Sequence, residues 1–241
     1  MATLRLVILS GGLDSATALG IANHDLEDND KLVAVSYNYG QKHSIELECA
    51  KDLTKHYECE HLIVPLETNL FKGGVLTTDT PVPDMSYADL PSGTMSPTYV
   101  PFRNGTLISM STALADSILQ HDEGEGGNLD NALLYAGMHA EDGAGFAYAD
   151  CTPEFLGAMA NAVYVGTYQR VRLHALFQHM EKADVILQGF QKRVPYELTH
   201  SCYRGTRPAC GTCSTCRARL EAFDACNMHD PIEYEERSVG F

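Results

Sequence analysis

Six residues near the start of the chain, Ser10-Gly11-Gly12-Leu13-Asp14-Ser15, combine the parts an anion site needs. Glycines let the main chain approach a ligand, backbone N–H groups at the mouth of a helix attract negative charge, and serine hydroxyls donate to the same oxygens. Asp14 can hold a divalent cation that neutralises a polyphosphate. The same string also reads as a plain strand-to-helix turn capped by Ser or Asp. It lacks the Lys-Ser/Thr ending of a Walker loop and the three-glycine spacing of a dinucleotide fingerprint, which disfavours those two phosphate binders. A second set stands near the end: Cys202, Cys210, Cys213 and Cys216, spaced C-x7-C-x2-C-x2-C within fifteen residues. Four thiolates suit a tetrahedral metal, and zinc held by four sulfurs keeps no open position, so the expected metal is structural. An iron–sulfur cluster and plain reduced thiols are the competing readings. Cys49, Cys59 and Cys226 read as packed thiols.

The elements that must position these groups follow from apolar patterning. Leu4 to Leu9 is an apolar run broken by one Arg, so it reads as a strand buried on both faces, ending abruptly at the glycines. Leu13, Ala16, Leu19, Ile21 and Ala22 supply the apolar side of a helix. Leu32 to Tyr37 reads as a strand, Ser44 to Tyr57 as a helix, and Leu62 to Leu66 as a third strand. This β-α-β-α-β order calls for a doubly wound, mostly parallel α/β sheet whose ligands lie beyond the carboxyl ends of the strands. Residues 67 to 101 hold five prolines and no periodicity, and are expected to form a lid or substrate loop. Helical spacing returns over Asn104 to Leu119, and His121 to Asp130 reads as an acidic, Gly-rich tip. Ala132 to Met138 reads as a strand, and Pro153 to Val165, Glu181 to Phe190 and Ser214 to Ala225 as helices, with Thr152 as N-cap and Pro153 at the first helical position. The expected division is an α/β domain carrying the anion-site loop over 1–194 and a helical zinc-binding tail over 195–241.

Composition narrows the function classes. The 241 residues are 44% hydrophobic and 20% charged, enough apolar material for a core. With 17 Lys+Arg against 32 Asp+Glu the formal charge is -15, so duplex DNA or long RNA is a poor first partner. Met1 is followed by a strand-like run and no apolar stretch approaches a bilayer span, so a cytoplasmic protein with reduced thiols and no membrane partner is expected.

The string SGGLDS resembles the PP-loop of the ATP pyrophosphatases, whose members cleave ATP to AMP and pyrophosphate. The two motifs together with the segments between them resemble the QueC family of the queuosine pathway, the 7-cyano-7-deazaguanine synthases. The likeness covers nearly the whole chain. Tyr39-Gly40-Gln41-Lys42-His43 with Glu46-Leu47 resembles the family's second motif, with Lys42 where Arg is usual. Tyr99-Val100-Pro101-Phe102-Arg103-Asn104 resembles T-Y-V-P-G-R-N, Asp150-Cys151-Thr152-Pro153-Glu154-Phe155 resembles D-C-R-P-E-F, and Leu198-Thr199-His200-Ser201-Cys202-Tyr203 resembles L-T-W-S-C-Y. Lys182-Ala183-Asp184 is similar to the S-K-A-E helix start.

The resemblance implies a Rossmann-like fold of the adenine nucleotide alpha hydrolase type and a ligase that uses ATP, magnesium and zinc. Its reaction takes 7-carboxy-7-deazaguanine and ammonia to 7-cyano-7-deazaguanine through an adenylated acid, an amide and an adenylated amide. By the same likeness Ser10, Gly11, Gly12, Leu13, Asp14, Ser15, Gln41 and His43 bind the nucleotide. Asp14, Arg103 and Lys182 are the expected catalytic groups. Tyr99, Asn104, His139, Asp150, Glu154 and Phe155 are expected to border the deazaguanine, and a homodimer is expected. Read alone, His139 is either a pocket residue or a core histidine bonded to a carbonyl, and Tyr148 either stacks on a ring or packs. Three departures stand out: Phe102 replaces glycine, Thr152 replaces arginine, and the 142–150 segment is about two residues longer than usual. They motivate an alternative in which the enzyme stops at 7-amido-7-deazaguanine or joins the activated acid to another amine, on a protein for example. A PP-loop tRNA sulfur transferase and a non-catalytic, zinc-held scaffold are the remaining readings.

Overall fold

The computed structural model describes residues 2–42, 45–67 and 70–235. Its described residues form a five-stranded parallel sheet in the order β3-β2-β1-β4-β5, flanked by helices on both faces. The strands are β1 (Ala2–Ile8), β2 (Lys31–Asn38), β3 (Glu60–Pro65), β4 (Leu129–His139) and β5 (Val171–Phe177). The helices are α1 (Leu13–His24), α2 (Ile45–His56), α3 (Arg103–Gly124), the single turn α4 (Ala140–Gly143), α5 (Pro153–Gly166), α6 (Lys182–Gln191) and α7 (Ser214–Ala225). The doubly wound α/β expectation holds. No described helix is long and apolar enough to cross a membrane.

Alternation along β1 sorts the two faces. Leu4 and Leu6 join the cluster of Ile108, Ala115, Leu156 and Val163 beneath α3 and α5. Val7 and Leu9 join the opposite cluster with Leu13, Leu19, Leu53, Val185 and Phe223, under α1, α2, α6 and α7. The lone arginine in this run, Arg5, is buried because it pairs with Asp30 at 2.8 Å and donates to the Tyr135 hydroxyl at 2.8 Å. Helix α1 is buried over most of its circumference, since it lies between the sheet and α6, and Leu13, Ala16, Ala18, Leu19 and Ala22 are fully buried.

Two expectations need correction. Helix α3 runs to Gly124 and β4 starts at Leu129, so most of the acidic tip placed at 121–130 is regular structure. The sequence reading places no strand between the helices at 153–165 and 181–190, yet β5 is there. It is an edge strand whose Arg172 and His174 interrupt the apolar residues, so no buried run marks it. Thr152 does cap α5, its hydroxyl accepting from the Phe155 N–H at 3.3 Å. The chain enters β1, crosses to β2 and β3, and returns on the other side to β4. The strand order therefore reverses between β1 and β4, and a crevice opens at their carboxyl ends.

Candidate active site

The loop leaving β1 forms the floor of that crevice. Gly11 has φ +96°, and a Cβ there would overlap the carbonyl oxygen of Glu46 on α2, so only glycine fits. Four consecutive amides donate to serine hydroxyls around the loop. Ser10 and Gly11 N–H donate to Ser15 Oγ at 3.2 and 3.3 Å, Gly12 N–H to Ser10 Oγ at 3.2 Å, and Leu13 N–H to Ser201 Oγ at 3.5 Å. Hydroxyl oxygens lie where anionic oxygens can be received, at the positive end of α1. Leu13 offers only its N–H, since its side chain is in the core.

Asp14 follows on the first turn of α1 and meets Lys182 at the first position of α6. That helix start is held by a capping box between Glu181 and Asp184. Lys182 Nζ donates to Asp14 Oδ2 at 2.8 Å and to His139 Nε2 at 2.9 Å; His139 Nε2 is also 3.3 Å from Asp142 Oδ2. Burial alone would push the Asp14 carboxyl up, but the charge of Lys182, then His139 and the Lys182 hydrogen bond, outweigh it and hold it below the ordinary range. Burial would lower Lys182, and the Asp14 and Asp142 carboxylates raise it instead. His139 Nδ1 is a buried atom without a hydrogen-bond partner. Asp14 Oδ1 is likewise buried without one. Gly137 in β4 permits this closeness, because a Cβ there would lie 2.9 Å from the Asp14 carbonyl carbon.

The facing wall comes from α3. Arg103 donates from Nη1 to the Tyr39 hydroxyl at 3.3 Å and from Nη2 to Asn104 Oδ1 at 3.1 Å. Asn104 is tied to the next segment twice, its N–H donating to Asp150 Oδ2 at 2.9 Å and its Nδ2 to Cys151 Sγ at 3.1 Å. Burial raises the Asp150 carboxyl despite the Asn104 N–H. Phe102, just before α3, has φ +51°, the left-handed conformation that glycine adopts without strain, and its N–H donates to the Tyr99 hydroxyl at 2.9 Å. Gln41 braces the end of β2, accepting from Tyr39 N–H and donating to the Tyr37 carbonyl.

In the tail, the ligand atoms of Cys202, Cys210, Cys213 and Cys216 all lie within 4.8 Å of one another and all four residues are buried. Cys210 Sγ and Cys216 Sγ are 3.9 Å apart, close to the ~3.8 Å edge of a tetrahedron with Zn–S bonds of ~2.3 Å. The donor set therefore fits zinc. It is too tight to admit the sulfide core of an iron–sulfur cluster between the thiolates.

With this geometry in hand, similarity to known proteins is decisive. Residues 5–227 match the family described as "Queuosine biosynthesis protein QueC". The chain belongs to the QueC family. A 7-cyano-7-deazaguanine synthase of Thermoplasma acidophilum is 37% identical over 234 residues, spanning 95% of this chain and 91% of that one. One from Caldicellulosiruptor bescii is 40% identical over 232 residues, spanning 95% and 96%, and one from Methanoculleus marisnigri is 38% identical over 232 residues, spanning 95% and 97%.

In this QueC-family enzyme the crevice has about 1100 Å³ of free space, measured out to its open mouth. Ser10, Gly12, Asp14, Ser15, Gln41, Arg103, Asn104 and Lys182 line it. Gly11 and Leu13 shape its floor, while His139 and Asp150 stand behind Lys182 and Asn104. Tyr99 braces Phe102 rather than facing the crevice. Glu154 is exposed on α5, and Phe155 packs edge-on against Phe102 at 5.7 Å, so neither is among the lining residues. His43 lies outside the described residues. Tyr148 is buried in the longer segment, its hydroxyl bonded to Ser96 and Thr98, which makes it a packing residue that docks 142–150 onto the 67–101 loop. Sequence reasoning did not single out Glu46, Asp142, Ser201 or Tyr203. Glu46 had a signal, a carboxylate on the helix face that carries Cys49, Ala50 and Leu53 inward. Ser201 and Tyr203 sit in a quoted motif and Asp142 opens the longer 142–150 segment, but only the fold brings them to the crevice.

Proposed function

We propose that this chain makes 7-cyano-7-deazaguanine from 7-carboxy-7-deazaguanine, ammonia and ATP. The observation that carries the reading is one crevice, at the strand-order reversal, holding the four-amide nest, the Asp14–Lys182 pair and Arg103 within its walls. The relatives' shared name supplies the product, 7-cyano-7-deazaguanine.

The chemistry follows from charge. A carboxylate oxygen leaves poorly, so it first attacks the α-phosphorus of ATP and pyrophosphate departs. Ammonia then adds to the acyl carbon, the C–O bond to AMP breaks, and a proton leaves the nitrogen to give the amide. In a second round the amide oxygen attacks another ATP, and loss of AMP with both nitrogen protons leaves the nitrile. The loop amides hold the departing pyrophosphate. Lys182 and Arg103 face the charge that grows at the transferring phosphorus, each fixed in place before reaction by the bonds described above. The unpartnered Asp14 Oδ1 fits a magnesium ion, which when bound would neutralise the triphosphate. Zinc at the four cysteines, with no open ligand position, would be structural.

Mass spectrometry of purified protein given the carboxylic acid, ATP, magnesium and ammonium tests this. The expected product is the nitrile, with two AMP formed per molecule. Amide without nitrile would replace this reading with the amide-forming alternative, and unconsumed ATP would overturn both.

A further inference from the structure

The stretch that opens the cysteine cluster does more than lead into a metal site. His200 N–H donates to the carbonyl of Gly11 at 3.1 Å, and one residue later Ser201 Oγ receives the last amide of the nest, Leu13 N–H. The same oxygen accepts from Arg219 Nη1 at 3.4 Å. Neither bond consumes the hydroxyl's own proton, and Ser201 lines the crevice, with its oxygen 3.7 Å from where a Cβ on Gly12 would stand. A hydroxyl that accepts from two N–H groups is left as a donor toward whatever occupies the nest.

What aims it is the tail. Arg219 is fully buried on α7, three residues after Cys216, where Asp230 binds it through Nε at 2.7 Å and Nη2 at 2.9 Å. Its Nη1 also donates to Thr199 Oγ1 at 2.7 Å. Cys202 fixes the other side, being the neighbour of Ser201.

We propose that Ser201, aimed by Arg219 and the four-cysteine clip, donates a hydrogen bond to the polyphosphate anion held by the Ser10–Ser15 loop, so that nucleotide affinity depends on the metal in the tail. This rests on the reading of the crevice as an ATP site. The contact is to the pyrophosphate portion, which sets it apart from a merely structural role: it matters for ATP and free pyrophosphate and not for AMP.

The test is equilibrium titration of the full chain with ATP, pyrophosphate and AMP. Loss of a hydrogen bond to a charged group corresponds to roughly tenfold in affinity. S201A is therefore expected to weaken ATP and pyrophosphate about tenfold, leave AMP unchanged, and retain metal content and melting temperature, while S201T restores binding. Chelated protein that stays folded is expected to show at least the S201A loss; where removing the metal unfolds the chain, the S201A and S201T pair decides. Wild-type ATP affinity in S201A, or equal losses for ATP and AMP, overturns the inference. Absence of ATP binding by the wild-type chain would instead overturn the ATP-site reading itself.

Discussion

Glu46 is a carboxyl group set on the buried side of a helix, against the nucleotide loop. Burial pushes its pKa up to about 8; Arg103 opposes the rise, and Cys202 and Asp14 add to it. An unfolded chain releases this proton near pH 4.5. Between about 4.5 and 8 the native state therefore keeps a proton that the unfolded state has lost, and stability falls as pH rises, by on the order of 1 kcal/mol per pH unit from this group alone. E46Q removes the titration. Relative to wild type, the variant is expected to gain denaturation midpoint as pH goes from 5 to 8, and a constant difference across that range would show that Glu46 is not the group responsible. Asp14 has the opposite sign. Held low by Lys182, it contributes stability that is present at neutral pH and lost as pH falls through its depressed value. Two carboxyls on either side of Gly12 are thus driven apart, one neutral and one charged at the same pH, which lets a polyanion approach the loop without meeting both charges.

At the scale of elements, the crevice depends on how closely β4 passes the start of α1. Gly137 sets that distance. A Cβ there would lie 2.9 Å from the Asp14 carbonyl carbon and 3.0 Å from its oxygen and the Ser15 nitrogen, all backbone atoms that cannot rotate away. G137A is expected to cost about 1–3 kcal/mol of stability by overpacking, and to lower ATP turnover further than that loss explains, because Asp14 moves relative to Lys182. Midpoint and turnover measured together decide it, and a variant with wild-type values for both would sink the argument. The elements also show where sequence reading reaches and where it stops. β1, β2 and β4 carry mainly apolar runs because they are covered on both faces. β5 is an edge strand with Arg172 and His174 among its apolar residues, and its partner β4 is 39 residues earlier at Leu134–Leu173, so nothing local announces it. Phe102 is a further case: the chain keeps the left-handed turn before Arg103 although the side chain is not glycine, and packing on Phe155 accompanies it.

Over the whole molecule, the order of strands converts separate motifs into one site. The nest and the cysteine ligands were legible because each lies within fifteen residues or fewer and its spacing is its chemistry. The joining of Asp14 to Lys182, 168 residues apart, and of Leu13 to Ser201, 188 apart, was not, since contacts at such separation are set by sheet topology and tail docking. The net charge of -15 gains a sharper meaning from that assembly. Arg103 and Lys182 are turned into the crevice, where each is engaged by neighbouring side chains, so they add little to an exterior attractive to a nucleic acid backbone. A tRNA-acting reading would need several phosphates neutralised at once, with affinity falling steeply as salt rises. An acidic chain working on a free base needs no such surface. Filter binding with bulk tRNA is therefore expected to show no saturable retention at about 0.05 M salt, where electrostatic binding is strongest, and deazaguanine turnover is expected to be indifferent to added tRNA. Saturable retention that persists to about 0.2 M salt would mean that a local basic strip, around Arg193 to Arg219, outweighs the global charge, and the substrate would then have to be sought on RNA.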